Sequence, residues 1–164
     1  MDATESPIVQ QYLDGFRALR EATAGLTRAQ QMLRPIEGKW SMLEVVCHLS
    51  DMETVFAERM KRILAEDNPT LPDADESRYA AALAYHERSM PEELTLIELT
   101  RRQMARILGS LPAEAFQRAG THSTAGRMTL EEIVAKANMH LAHHLPFILE
   151  KRRAIGERAV AAPR

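Results

Sequence analysis

Asn138-Met139-His140-Leu141-Ala142-His143-His144-Leu145-Pro146-Phe147 holds three of the chain's six histidines within five residues. Read as a helix, it puts His140 and His144 on one face, because residues four apart sit one above the other. The same face carries Ile133 and Ala137 before the pair and Ile148 after it, so both imidazoles occupy core positions. Imidazole in a core needs a partner, and a divalent cation held by both rings would be one. On its own a His-x3-His pair is more often a hydrogen-bonded core or surface feature than a metal site. His143 lies about 100° round the helix from its neighbours and reads as an exposed residue outside any such site.

A third histidine in a similar seam strengthens the metal reading. Trp40-Ser41-Met42-Leu43-Glu44-Val45 is the sharpest helix start in the chain. Ser41 can cap the Glu44 amide while Glu44 reaches back, and Trp40 can pack on Val45 as a hydrophobic staple. The helix it opens is expected to run to about Ala65, with Val45, His48, Met52, Val55, Phe56, Met60 and Ile63 along its inner seam. His48 thus replaces an apolar residue, and with His140 and His144 it gives a three-imidazole set drawn from two helices. Glu44 and Asp51 lie one turn either side of His48 and could orient its ring, ligate directly or be solvated. Cys47 points away from His48 and reads as a buried, inert thiol.

The rest of the chain is helical in pattern. Aromatic residues make up 5% of it, sustained alternation is missing, and Ala, Leu, Glu, Arg and Met recur at helical spacing. Ser6-Pro7 opens a helix whose stripe is Val9, Tyr12, Leu13, Phe16, Leu19 and Thr23, and Thr27 to Gln30 is a small capping box for a short helix through Leu33. A helix is expected from about Ala74 to Arg88, and another from Ser89-Met90-Pro91 until Gly109 and Pro112 stop it. Gly120 to Gly126 reads as a flexible polar loop in which His122 could overhang a pocket, and His86 reads as a surface residue. Thr129-Leu130-Glu131-Glu132 is a capping box for the histidine-bearing helix. Pro146 is expected to bend that helix just after His144, and the tail from Gly156 to Arg164 to fray. The chain reads as one all-α domain over 1–164, without repeats.

Composition narrows function. At 164 residues the chain can bury a core without disulfides or a structural metal, so a metal here would be functional. Net charge is −2, and no long Lys/Arg run offers a nucleic-acid track; Arg101-Arg102 and Lys151-Arg152-Arg153 read as helix-surface clusters. The single cysteine, Cys47, suits a reducing cytosol, and no stretch approaches the roughly 20 apolar residues of a membrane span, so a cytoplasmic protein is expected.

Together these residues resemble the DinB-like family of helical-bundle proteins, also called YfiT-like. The likeness rests on Gly38-Lys39-Trp40-Ser41, on Glu44 through Asp51, on Gly126-Arg127-Met128-Thr129-Leu130 and on His140 through Ile148. It implies a four-helix bundle of the up-down-down-up type, often a homodimer, with one divalent metal on three histidines that fall on His48, His140 and His144. Nitrogen ligands suit zinc or nickel, with iron or copper as further options. The family also implies enzymes that transfer a low-molecular-weight thiol to a small-molecule electrophile, with hydrolysis as the alternative and a non-enzymatic, stress-associated binding protein as the third. Asp51, Glu44 and His122 are the groups that could move protons, and spacing assigns the task to none of them.

Overall fold

A computed structural model of the protein describes residues 7–161, with side chains described to residue 156. The first helix, α1 (Pro7–Thr23), has proline in its first turn and buries Val9, Tyr12, Phe16, Leu19 and Thr23; Ser6, its expected cap, lies outside the described residues. The short α2 (Arg28–Met32) carries the expected Thr27/Gln30 capping box. In α3 (Met42–Ala65) the box at Ser41 is complete: the Glu44 amide donates to Ser41 Oγ at 3.1 Å, and the Ser41 amide donates to Glu44 Oε2 at 2.7 Å. These bonds satisfy amides that the first helical turn would otherwise leave open.

The expected helix from Ala74 to Arg88 is interrupted. The chain forms α4 (Glu76–Ala82), turns through Ala84 at φ 47°, and makes a 3-10 turn at Tyr85–Glu87. A left-handed alanine cannot continue a right-handed helix, and no glycine or proline marks the place. The long α5 (Met90–Gly109) then begins with Pro91 in its first turn.

A small sheet replaces the polar loop expected at Gly120 to Gly126. Its strands are β1 (Thr70–Leu71), β2 (Ala119–His122) and β3 (Gly126–Thr129), in the order β1-β2-β3, with β1 parallel and β3 antiparallel to β2. Strands this short show no alternation in sequence. Gly120 is needed where β2 meets β1, since a Cβ there would lie 2.8 Å from the Pro69 carbonyl oxygen. The final helix, α6 (Leu130–Ala161), starts at the Thr129/Glu132 box, runs through Pro146, and continues beyond Gly156 where fraying was expected.

Helices α1, α3, α5 and α6 form the bundle. Asn138 donates to the Ile8 carbonyl and Arg152 to those of Ala22 and Ala24, so α1 and α6 run the same way. Asp51 meets Arg88, just before α5, while Lys61 meets Gln103, so α3 and α5 also run together. His48 faces His140, and Met60 and Ile63 share a cluster with Leu130, Ile133 and Val134, which makes α3 antiparallel to α6. The topology is therefore up-down-down-up.

Arg101 lies at the centre of the bundle and is 1% exposed. It pairs with Glu53 of α3 and donates to the carbonyls of Tyr12 in α1 and Ala137 in α6, while the Tyr12 hydroxyl donates to Glu53. One polar network thus ties all four helices. It also corrects the surface reading of Arg101, and the equally buried Lys151 corrects that of the second basic cluster. Among the described residues no helix is long and apolar enough to cross a membrane.

Candidate metal centre

The capping box of α3 sets the rotation of that helix, and His48 falls on the side that meets α6. It is 1% exposed, with the Trp40 ring at 5.4 Å between centroids. From α6, His140 and His144 project one turn apart toward the same point, and Phe56 packs against His140 at 5.7 Å. The three imidazole centroids are 4.8 to 4.9 Å apart pairwise. One ligand-capable atom from each ring lies within 4.8 Å of the others, and the Nε2 atoms of His48 and His140 are 2.9 Å apart. At that distance two ring nitrogens either share a proton or face a common cation.

The local electrostatics keep the rings neutral. Burial lowers the pKa of His48 to about 4 against a small opposing effect of Asp51. Burial and then the neighbouring imidazoles lower His140 to about 3, and burial with His48 and His143 lowers His144 to about 4, although Glu76 acts the other way. Neutral imidazole offers a lone pair, so at neutral pH the site presents three nitrogen donors. His48 Nδ1 is buried without a hydrogen-bond partner. That nitrogen is unsatisfied whichever group Nε2 faces, so the case for a ligand is the convergence of the three rings and not the orphaned Nδ1.

The other residues singled out in the sequence are engaged elsewhere. Asp51 receives Arg88 Nη1 on both carboxylate oxygens at 3.0 Å, and Arg88 also pairs with Glu93, so Asp51 fixes the start of α5 and makes no hydrogen bond to His48. Glu44 is held by Ser41 and by Arg34; burial opposes its ionisation, but those hydrogen bonds outweigh it and keep its carboxyl below the usual range. His122 ends β2, where its Nδ1 accepts from the amides of Thr124 and Ala125 at 3.3 and 3.2 Å and its Nε2 lies 3.7 Å from Asp73. It shapes the hairpin turn and lies outside the three-ring cluster. Cys47 is buried as expected, with burial pushing its thiol up to about 12. His143 and His86 are exposed.

One carboxylate at the site was not anticipated. Glu76, the first residue of α4, is 63% exposed and places Oε2 3.7 Å from His48 Nε2. It stands between the imidazoles and solvent. Its sequence signal was only that of a first-turn acid beside the Asp75 cap, which says nothing about which distant helix it meets.

Known proteins share the sequence signature and the fold of this chain. The signature of the DinB superfamily matches residues 11–148. A protein of Halalkalibacterium halodurans with the working name of metal-dependent hydrolase is 30% identical over 112 residues, covering 68% of this chain and 65% of that protein, just under two thirds of its length. A similarly named protein of Geobacillus thermodenitrificans is 33% identical over 142 residues, covering 85% of this chain and 79% of the relative. Among solved structures, YfiT from Bacillus subtilis, described as a probable metal-dependent hydrolase with an unusual four-helix bundle topology, superposes with a TM-score of 0.83 at 25% identity, covering 91% of this chain and 86% of that one. With the shared bundle and a matching signature over most of its length, the chain belongs to the DinB superfamily.

Proposed function

We propose that the protein is a metal-dependent enzyme that holds one divalent ion on His48, His140 and His144 and transfers a small thiol to an electrophile. The observation that carries this reading is the convergence of three neutral imidazoles, with the Glu76 carboxylate 3.7 Å from His48 Nε2 beside them. A cation held by His48, His140 and His144 would supply Lewis acidity, which would favour ionisation of a thiol whose pKa is otherwise about 8.5. The chain's own contribution is to fix the donors and to govern proton and solvent access. The Trp40 and Phe56 rings pack on His48 and His140 and hold those imidazoles in place. Glu76 at the open side is placed to accept the proton that the thiol gives up. In the transfer a sulfur–carbon bond forms, the bond from that carbon to its leaving group breaks, and the leaving group departs with the electron pair.

The working names of the relatives favour a second reading, in which water attacks an ester or amide at the same centre. Incubating zinc- or nickel-loaded protein with a small thiol and a chloro-dinitroarene, and following free thiol, separates the two. Thiol transfer predicts protein-dependent thiol loss that disappears in His140→Ala. Turnover of p-nitrophenyl acetate without thiol, and none of the arene with it, would establish the hydrolytic reading instead. Turnover of neither substrate class would leave a binding protein.

A further inference from the structure

A cavity of about 240 Å³ opens beside His144, between the turn that precedes α3 and the second half of α6. Its apolar walls are Trp40, Val45 and Phe147, and its polar lining is Lys39 and Lys151. The volume is below the roughly 300 Å³ at which pockets for drug-sized ligands begin, so it suits a small molecule or one end of one. The Trp40 ring also packs on His48, and Phe147 packs on His143 and His144, so the cavity is continuous with the metal centre.

Lys151 is the anomaly. It is 3% exposed, yet it makes no hydrogen bond or ion pair among the described residues. Of the other buried cations, Arg101 has Glu53 and two carbonyls, and Arg59 gives Nη2 to the Pro72 carbonyl while its Nε has no partner. Its stem is buried against apolar groups, whereas its Nζ is not among the enclosed unpartnered polar atoms, so the ammonium end is the part that reaches the cavity. Burial lowers its pKa, Lys39 lowers it further, and only the exposed Glu150 acts in the opposite sense. Two lysines lining one small cavity, with no carboxylate among its lining residues, favour an anion bound there.

We propose that this cavity is an anion subsite of the metal centre: it takes a small amphipathic molecule whose apolar body lies on Trp40 and Phe147 and whose carboxylate or phosphate pairs with Lys151, with Lys39 at the rim. The subsite names the substrate class for the function proposed above and rests on that reading for its catalytic meaning, though binding itself does not require turnover. The reacting partner at the three histidines is thus an anionic compound held by its charged end.

Calorimetric titration of the full chain, metal-loaded and metal-free, with 3-phenylpropionate, phenylphosphate and the neutral 3-phenylpropionamide tests the assignment. At least one anion is expected to bind about tenfold or more tighter than the amide, as one charge-assisted contact warrants. The preference is expected in the metal-free protein too, which separates pairing with Lys151 from ligation of a metal. Lys151→Met should abolish it, Lys151→Arg should keep most of it, and neither should change metal content. The stronger of the two anions identifies the headgroup. Equal binding of amide and anions, or an undiminished preference in Lys151→Met, would overturn the proposal. If Lys151→Met does not fold, Lys39→Met should weaken anion binding severalfold, and an unchanged affinity in that variant would count against the subsite. Anion selectivity without turnover would leave the subsite standing and remove the enzyme reading; turnover without selectivity would do the reverse.

Discussion

At the scale of single residues, the chain buries one imidazole, His48, and half-buries two more, His140 and His144, where apolar side chains would pack more cheaply. All three have pKa values well below the ordinary 6.5. In the metal-free protein this makes stability depend on pH with a definite sign. Below about pH 6.5 the unfolded chain takes up protons that the folded rings refuse, so acidification draws the equilibrium toward unfolding until pH falls to the folded values of about 4, 3 and 4. Each ring contributes at most about 1.4 kcal/mol per pH unit inside that window. Thermal melts of metal-free protein should therefore show Tm falling between pH 6.5 and 4, less steeply in His140→Ala; an equal slope in that variant would mean the rings are not held neutral. The histidines were legible in the sequence because they interrupt an apolar stripe at helical spacing. Glu76 and Lys151 were not, because their importance lies in what they face: one in a short helix after a loop, the other in a basic cluster that resembles an ordinary helix end.

Among elements, those with self-contained end signals matched their expected starts. The boxes at Ser41, Thr27 and Thr129 need only residues three apart, so sequence contains all the information that positions them. Ser41→Ala removes the acceptor for the Glu44 amide and is expected to lower stability by about 1 kcal/mol. Because the same cap sets the start of the helix that carries His48, chemical denaturation read together with metal affinity should show both reduced; a loss of stability with metal affinity unchanged would separate the cap from the site. The break at Ala84 and the small sheet were hidden for a different reason. Ala84 adopts a conformation its residue type does not advertise, and β1 has two residues whose pairing partner lies far along the chain, Thr70 opposite Thr121. Tertiary contact decides both.

At the scale of the whole molecule, the bundle is fastened by a charged network that apolar patterning could not reveal. The seam expected for α3 passed over Glu53, yet Glu53 is buried and receives both Arg101 and the Tyr12 hydroxyl. Burial, followed by the Glu53 charge, raises the Tyr12 pKa far above its ordinary value, so the phenol stays a donor. Glu53→Ala strands Arg101 in the core and is expected to cost about 3–5 kcal/mol, measured by denaturant unfolding, whereas removing both charges together with shape-matched apolar residues should cost much less. Equal losses in the two variants would mean that packing volume, and not charge pairing, is what the network supplies.

The account depends most on the three histidines acting as one site across two helices. Elemental analysis of protein purified without a histidine tag tests this most directly. About one divalent ion per chain is expected in the native sequence, lost from both His48→Ala and His140→Ala while helical circular dichroism is retained. Full metal content in either folded variant would contradict it.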